Sequence, residues 1–179
     1  LVFVVLVAIL VRIALVELAS AHSPRVFEKA PLHHDFLHYR LGLGTVPAST
    51  RVQHADPDGI PDGTELDAAS RRLCADADVL DQVPVGADLL HGPVGYVGPR
   101  RLVVEQLQLL VNQLAFFHSY HDVQLVVVLP EQELVEWAWM RWFRHAALRD
   151  VNLRGLVHDQ RSRDQVLSTL NQVLKARRT

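Results

Sequence analysis

Cysteine, lysine, isoleucine and methionine are nearly missing from this 179-residue chain, which holds one, two, three and one of them respectively. One cysteine excludes a disulfide framework and any multi-cysteine zinc site. Two lysines beside 16 arginines, with a net charge of −2, exclude a generally basic nucleic-acid binder, and no nucleic-acid partner is expected. Catalytic signatures are missing too. No glycine-rich dinucleotide turn follows a strand, no phosphate loop ends in Gly-Lys-Ser/Thr, and no nucleophile elbow or metallohydrolase motif occurs. Gly92, Gly95 and Gly98 are spaced by three around Pro93, which is not a dinucleotide fingerprint. These absences point away from an enzyme and imply no organic cofactor.

What is present is leucine and valine, 28 and 26 residues. A natural core mixes more shapes, because side chains must interdigitate at high density. High GC content accounts for arginine over lysine and for leucine and valine over isoleucine. The genetic code offers another account. Read on the complementary strand, valine codons give Asp, Asn, His or Tyr, and most leucine codons give Glu, Gln or Lys. The run Leu125-Val126-Val127-Val128-Leu129 and the 10 histidines fit that origin. In composition, with no motif behind it, the chain resembles antisense-frame products of the kind labelled NAD-specific glutamate dehydrogenase. That resemblance implies an uncharacterised or spurious reading-frame product without an evolved catalytic site. The chain opens on Leu1 rather than methionine, which suits a fragment, a processed product or an unverified frame.

The chain divides into three segments. Residues 1–21 are a hydrophobic N-terminal segment, apolar without a break from Leu1 to Val11. Its apolar residues outweigh Arg12, whose insertion costs roughly 3 kcal/mol. The stretch is short for a span of about 20 residues. Ala19-Ser20-Ala21 supplies the small-residue pattern of a signal-peptide cleavage site. The segment therefore reads as a signal or anchor, giving a membrane or secreted location, or else as a buried core element. Residues 22–99 are loop-rich and acidic, punctuated by proline and glycine, with short helices expected at 31–40 and 66–82. Residues 100–179 are helical, with a basic C-terminal part. Helices are expected over 100–118, 131–148 and 163–178, and a buried strand over 123–129. The fold class so predicted is mainly α with one or two short strands, α+β being the alternative, around a long irregular and poorly packed middle. Charge is polarised: residues 51–90 carry nine acids and three bases, and residues 137–179 carry nine bases and three acids.

Four constellations are candidates for function. The first runs from His54 to Glu65. It resembles the calcium loop of thrombospondin type-3 repeats and of EF-hands. A hard cation wants six to eight oxygens, with a glycine at the sharp turn and an acid closing the shell. With His54 as position one, Asp56, Asp58 and Asp62 fall at three, five and nine, Gly59 at six and Glu65 at twelve. The resemblance implies that Asp56, Asp58, Asp62 and Glu65 ligate calcium. Position one departs from the pattern, because His54 offers nitrogen where an aspartate is expected. An Asp/Pro/Gly turn cluster uses the same residue types. The second is His33-His34-Asp35-Phe36-Leu37-His38, where a helix would place His34 and His38 on one face, as metal-binding pairs are. No third ligand follows at a suitable spacing. The third is His118 and His121 at the end of the 100–118 helix, where the dipole alone favours histidine. The fourth gathers Trp137, Trp139, Trp142 and Phe143 around Met140 and Arg141. On a helix over 131–148 it reads as an interfacial membrane helix, as an Arg and Trp stacking surface for single-stranded nucleic acid, or as an aromatic core face. Three functions therefore stand at this level: a product with no assignable function, a secreted or membrane-anchored protein with a calcium-like loop at 54–65, and a peripheral membrane protein using 131–148. The membrane contact would run through 1–18 or 131–148.

Overall fold

The computed structural model describes Glu17, residues 23–50, Val52, residues 65–148 and residues 152–178. The chain forms two compact units: residues 38–88, and residues 1–37 together with 89–179. The candidate signal or anchor at 1–21 lies outside the described residues except Glu17. Among the described residues no helix is long and apolar enough to cross a membrane.

The first unit is a two-stranded antiparallel sheet with one helix between its strands in sequence. Strand β1 (His38–Pro47) pairs with β2 (Val79–Asp88), and α1 (Glu65–Ala77) lies between them in sequence. This corrects the loop reading of the middle segment and the helix expected over 31–40. Glycine and proline suggested loop, but here they serve the sheet. Gly86 lacks the Cβ that would collide with the His38 ring, and a Cβ on Gly44 would stand 2.9 Å from Val85 Cγ2. Pro84 lies opposite Leu43. Each strand has one neighbour, so half of its N–H groups face away from the ladder, where proline is tolerated. The register shifts between Arg40 and Gly42 and between Gly44 and Val46. The second shift leaves Gln82 at φ 55°, as bulges allow. There the Thr45 hydroxyl donates to Asp81 Oδ1 at 2.5 Å. Gly86→Ala is expected to displace the His38 imidazole and loosen the β1–β2 ladder. Faster amide hydrogen exchange at Arg40 and Gly86, with exchange in residues 100–117 unchanged, would confirm it; unchanged exchange in both would refute it.

The second unit is built on α2 (Arg100–Phe117), the helix expected from periodicity. Its buried face includes Leu109, Val111, Leu114 and Phe116, and Val111 and Leu114 pack into a core with Val123, Leu125, Leu129, Trp137, Met140 and Ala146. Strand β3 (Val127–Val128) runs parallel to β6 (Leu156–Val157), and β4 (Ala147–Leu148) runs antiparallel to β5 (Leu153–Arg154). Backbone bonds stitch these ladders together: Leu125 N–H donates to His145 O, Val127 N–H to Gly155 O, and Gly155 N–H to Ala146 O. The last helix, α4 (Gln160–Arg178), covers Leu148 and Val157 with Val166.

The helix expected over 131–148 is not there. The segment breaks into short 3-10 turns around one α-turn, α3 (Leu134–Trp137), and ends in β4. The burial pattern shows why. Trp137 and Ala146 are both buried. Nine residues apart on a helix, at about 100° each, they would face opposite ways. The broken path turns both inward, and Gln108 Nε2 and Trp139 Nε1 both donate to the Glu136 carbonyl. The fold is thus mixed α/β, not mainly α, because strand pairing is set by long-range ladders that local periodicity does not report.

Candidate functional site

Two places in the second unit gather chemistry-bearing side chains. One is buried. Residues 23–37 lie against the C-terminal end of α2, where four carbonyls lack helical partners. Phe27 N–H donates to Phe116 O at 3.0 Å and Lys29 N–H to Phe117 O at 2.9 Å. The Lys29 ammonium stands 5.4 Å from the Phe117 ring centroid and pairs with Asp35 at 3.2 Å. A cation at this end also complements the helix dipole. Partial burial pushes the Asp35 carboxyl upward, but the Lys29 hydrogen bond and charge outweigh it and hold it below the ordinary carboxylate range.

Next to this contact are two buried histidines, 1% and 4% exposed. Leu37 N–H donates to His118 Nε2 at 3.0 Å, so Nδ1 carries the proton and donates to Leu114 O at 3.1 Å. His145 Nε2 donates to the His118 carbonyl at 2.8 Å. Phe36 meets the His118 ring edge-on, and Phe27 and Tyr120 surround His145. Burial is the main cause that lowers both imidazoles below their usual pKa. Lys29 and His145 add to the effect on His118. Both rings are therefore neutral at pH 7 with these ring nitrogens already committed. The pair pins the 23–37 segment to α2 and leaves no nitrogen of His118 for a metal or a substrate. The helix-end position was legible from sequence; the partnership with His145 was not, being set by tertiary packing.

The other place is open. At the carboxyl ends of β3 and β6, Leu129, Pro130, His158, Asp159 and Arg163 line a cleft of about 340 Å³. Such crevices, beside a helix N-terminus, often hold anions. Here Asp159 occupies the helix end itself: Ser162 N–H donates to its Oδ1 at 2.9 Å and the Ser162 hydroxyl to its Oδ2 at 2.6 Å. Those two bonds, the side-chain one first, lower the Asp159 carboxyl pKa. A fixed carboxylate there opposes a bound anion. Beside it a second groove of about 460 Å³ is lined by Arg141, Trp142, Ala146, Arg154, Leu156 and His158.

Of the proposed calcium ligands, Asp56, Asp58 and Asp62 lie outside the described residues, as does His54. Glu65 is the exposed first residue of α1. His34 and His38 do not share a helix, since residue 34 is in a turn and residue 38 opens β1. Among the described residues no group of three or more His, Cys, Asp and Glu is placed to hold a metal. The Trp137–Phe143 cluster divides: Trp137 is buried, and Trp142 is 76% exposed.

No family model matches the chain. Over most of its length it is nevertheless similar to proteins of bacterial type VII, or ESX, secretion systems. It is 37% identical over 161 residues to the type VII secretion system protein EssC of Staphylococcus aureus strain MSSA476, covering 90% of this chain. It is 34% identical over 164 residues to the ESX secretion system protein YukB of Bacillus subtilis strain 168, covering 89% of the chain. In both cases the chain spans 11% of the relative's length. These likenesses correct the glutamate dehydrogenase resemblance and the reading as an uncharacterised or spurious product. A wrong reading frame would not align with secretion proteins of two genera across nine-tenths of its length. The leucine and valine excess therefore belongs to a genuine coding frame. They also displace the two alternatives. The relatives' names point to a secretion apparatus, not to a secreted calcium binder, and the amphipathic helix required for peripheral membrane binding is absent over 131–148.

Proposed function

We propose that this chain serves as one non-catalytic segment of a larger type VII secretion-system protein, joining other components of that apparatus. The supporting observation is identity of 37% over 161 residues to EssC, spread across 90% of this chain. The site chemistry agrees with the reading. Both ring nitrogens of His118 and Nε2 of His145 are used in structure, and the open groove offers cations and an aromatic ring rather than a nucleophile with a base.

The test is made in the strain that encodes the chain. Deleting residues 100–178 in frame is expected to reduce export of the system's proteins to background, read by mass spectrometry of the culture medium. Immunoblotting checks that the shortened protein accumulates. Putting the matching EssC stretch in place of the segment is expected to restore export at least in part. Undiminished export from the deletion strain, with the shortened protein present, would overturn the reading.

A further inference from the structure

We propose that the groove between Arg141, Trp142 and Arg154 is a docking site for an acidic, extended polypeptide segment. The groove rests on its own side chains and not on kinship to the secretion proteins.

Three features converge there. The first is uncommitted positive charge. Arg25, Arg71, Arg100, Arg101 and Arg163 each pair with a carboxylate. Arg141 and Arg154, both exposed, face none among the described residues. Their positions are nevertheless set. Arg154 Nη1 donates to the Arg141 carbonyl at 3.3 Å, and the Arg141 guanidinium stands 5.1 Å from the Trp142 ring centroid. A guanidinium held in place by its own contacts keeps a planar fork that matches a carboxylate with two hydrogen bonds.

The second feature is the ring. Trp142 is 76% exposed, while Trp137, five residues earlier, is 3% exposed. Leaving a tryptophan face in water forgoes a large apolar burial, and such residues dominate the energetics of protein interfaces. The third feature is shape. Ala146 is buried and Leu156 half-buried beneath the arginines, giving an apolar floor. About 460 Å³ accommodates a few side chains and not a folded domain.

Together these select the partner. A segment alternating acidic and apolar residues puts carboxylates on the two guanidinium groups and an apolar side chain on Trp142. The surrounding sequence, with nine bases and three acids over residues 137–179, draws in such a segment at long range. Single-stranded nucleic acid is a poorer match, because it asks for a track of cations with several stacking rings. Trp137 is buried, and Trp139 is half-buried with its indole N–H committed to Glu136. A membrane surface is poorer too, since Trp142 sits at the end of the five-residue turn Ala138–Trp142 with no amphipathic helix to lay flat.

The experiment is fluorescence anisotropy with the 179-residue chain and a labelled peptide of alternating glutamate and leucine. The same peptide with glutamine for glutamate, a thymidine oligonucleotide and phosphatidylglycerol vesicles form the other arms. The glutamate peptide is expected to bind, and the glutamine peptide to bind far more weakly. Trp142→Ala and the double change Arg141→Gln with Arg154→Gln are each expected to weaken binding by about tenfold. Arg101→Gln, outside the groove and paired with Glu105, leaves binding unchanged. The altered side chains are exposed, and circular dichroism checks that the fold is kept. Equal binding of both peptides, no binding of either, indifference to the groove variants, or tighter binding of oligonucleotide or vesicles through the same residues would overturn the proposal.

Discussion

Gly155→Ala is expected to cost the second unit most of its strand pairing. Gly155 is the residue at which the chain passes from the β4–β5 ladder to the β3–β6 ladder. Its N–H donates to Ala146 O at 2.7 Å, and its carbonyl accepts from Val127 N–H at 2.6 Å. A Cβ built there would overlap the Leu125 carbonyl oxygen and stand 3.3 Å from the Ala146 oxygen. Both obstacles are backbone, so no side-chain rotation relieves them. One of the three segments has to move, and moving any of them lengthens at least one ladder bond. The expected loss is about 3 kcal/mol, within the range for overpacking a tight site. For a chain of this size that corresponds to a fall in Tm of roughly 6–12 °C. Gly95→Ala is the matched comparison, because nothing lies within 4 Å of a Cβ there. Thermal unfolding followed by circular dichroism decides the matter. If the two variants melt together, the close approach at residue 155 is not what holds these strands.

Gly155 also shows where reading the sequence stops. A lone glycine between Arg154 and Leu156 carries no local signal, since the groups that crowd it come from Leu125 and Ala146. The helix over 100–117 was legible because its apolar face repeats with the helical period within the segment itself. So was most of α4. Strands β1 and β2 were hidden because their glycines and Pro84 are turn formers locally and sheet residues only in the presence of a partner. Residues 131–148 misled for the opposite reason. Their local pattern suits a helix, and the need to bury both Trp137 and Ala146 breaks it. The groove was half legible. Arg141 and Trp142 stand side by side in the sequence, whereas Arg154 joins them only through the β4–β5 hairpin. Composition misled about identity, because it records which residue types were used and carries no trace of their order. The order is what aligns with the secretion proteins.

His118→Ala is expected to release the 23–37 segment from α2. The change removes the acceptor for Leu37 N–H and the ring that Phe36 packs against. A buried donor left without a partner costs about 1–3 kcal/mol, and the cavity adds to it. Hydrogen exchange should therefore quicken at Leu37 and at Phe27 and Lys29, whose N–H groups cap Phe116 and Phe117. Exchange in the Val127–Leu156 ladder should change less. A pH dependence accompanies the loss. Burial holds His118 and His145 below their unfolded pKa of about 6.5. Above that value both states are neutral at these rings and the native contribution is complete. As pH falls below about 6.5 the unfolded chain takes up protons that the folded one refuses. Stability then declines by up to about 1.4 kcal/mol per pH unit for each histidine, until the folded pKa is passed. Asp35, whose folded pKa is lowered, contributes in a separate window at more acid pH. Urea unfolding at pH 7.5 and 5.5 is expected to show the wild type weakened at the lower pH. In His118→Ala the decline should be shallower, since one of the two proton-refusing rings is gone. An equal decline in both proteins would mean that His118 does not resist protonation, and the neutral hydrogen-bonded ring described here would be wrong.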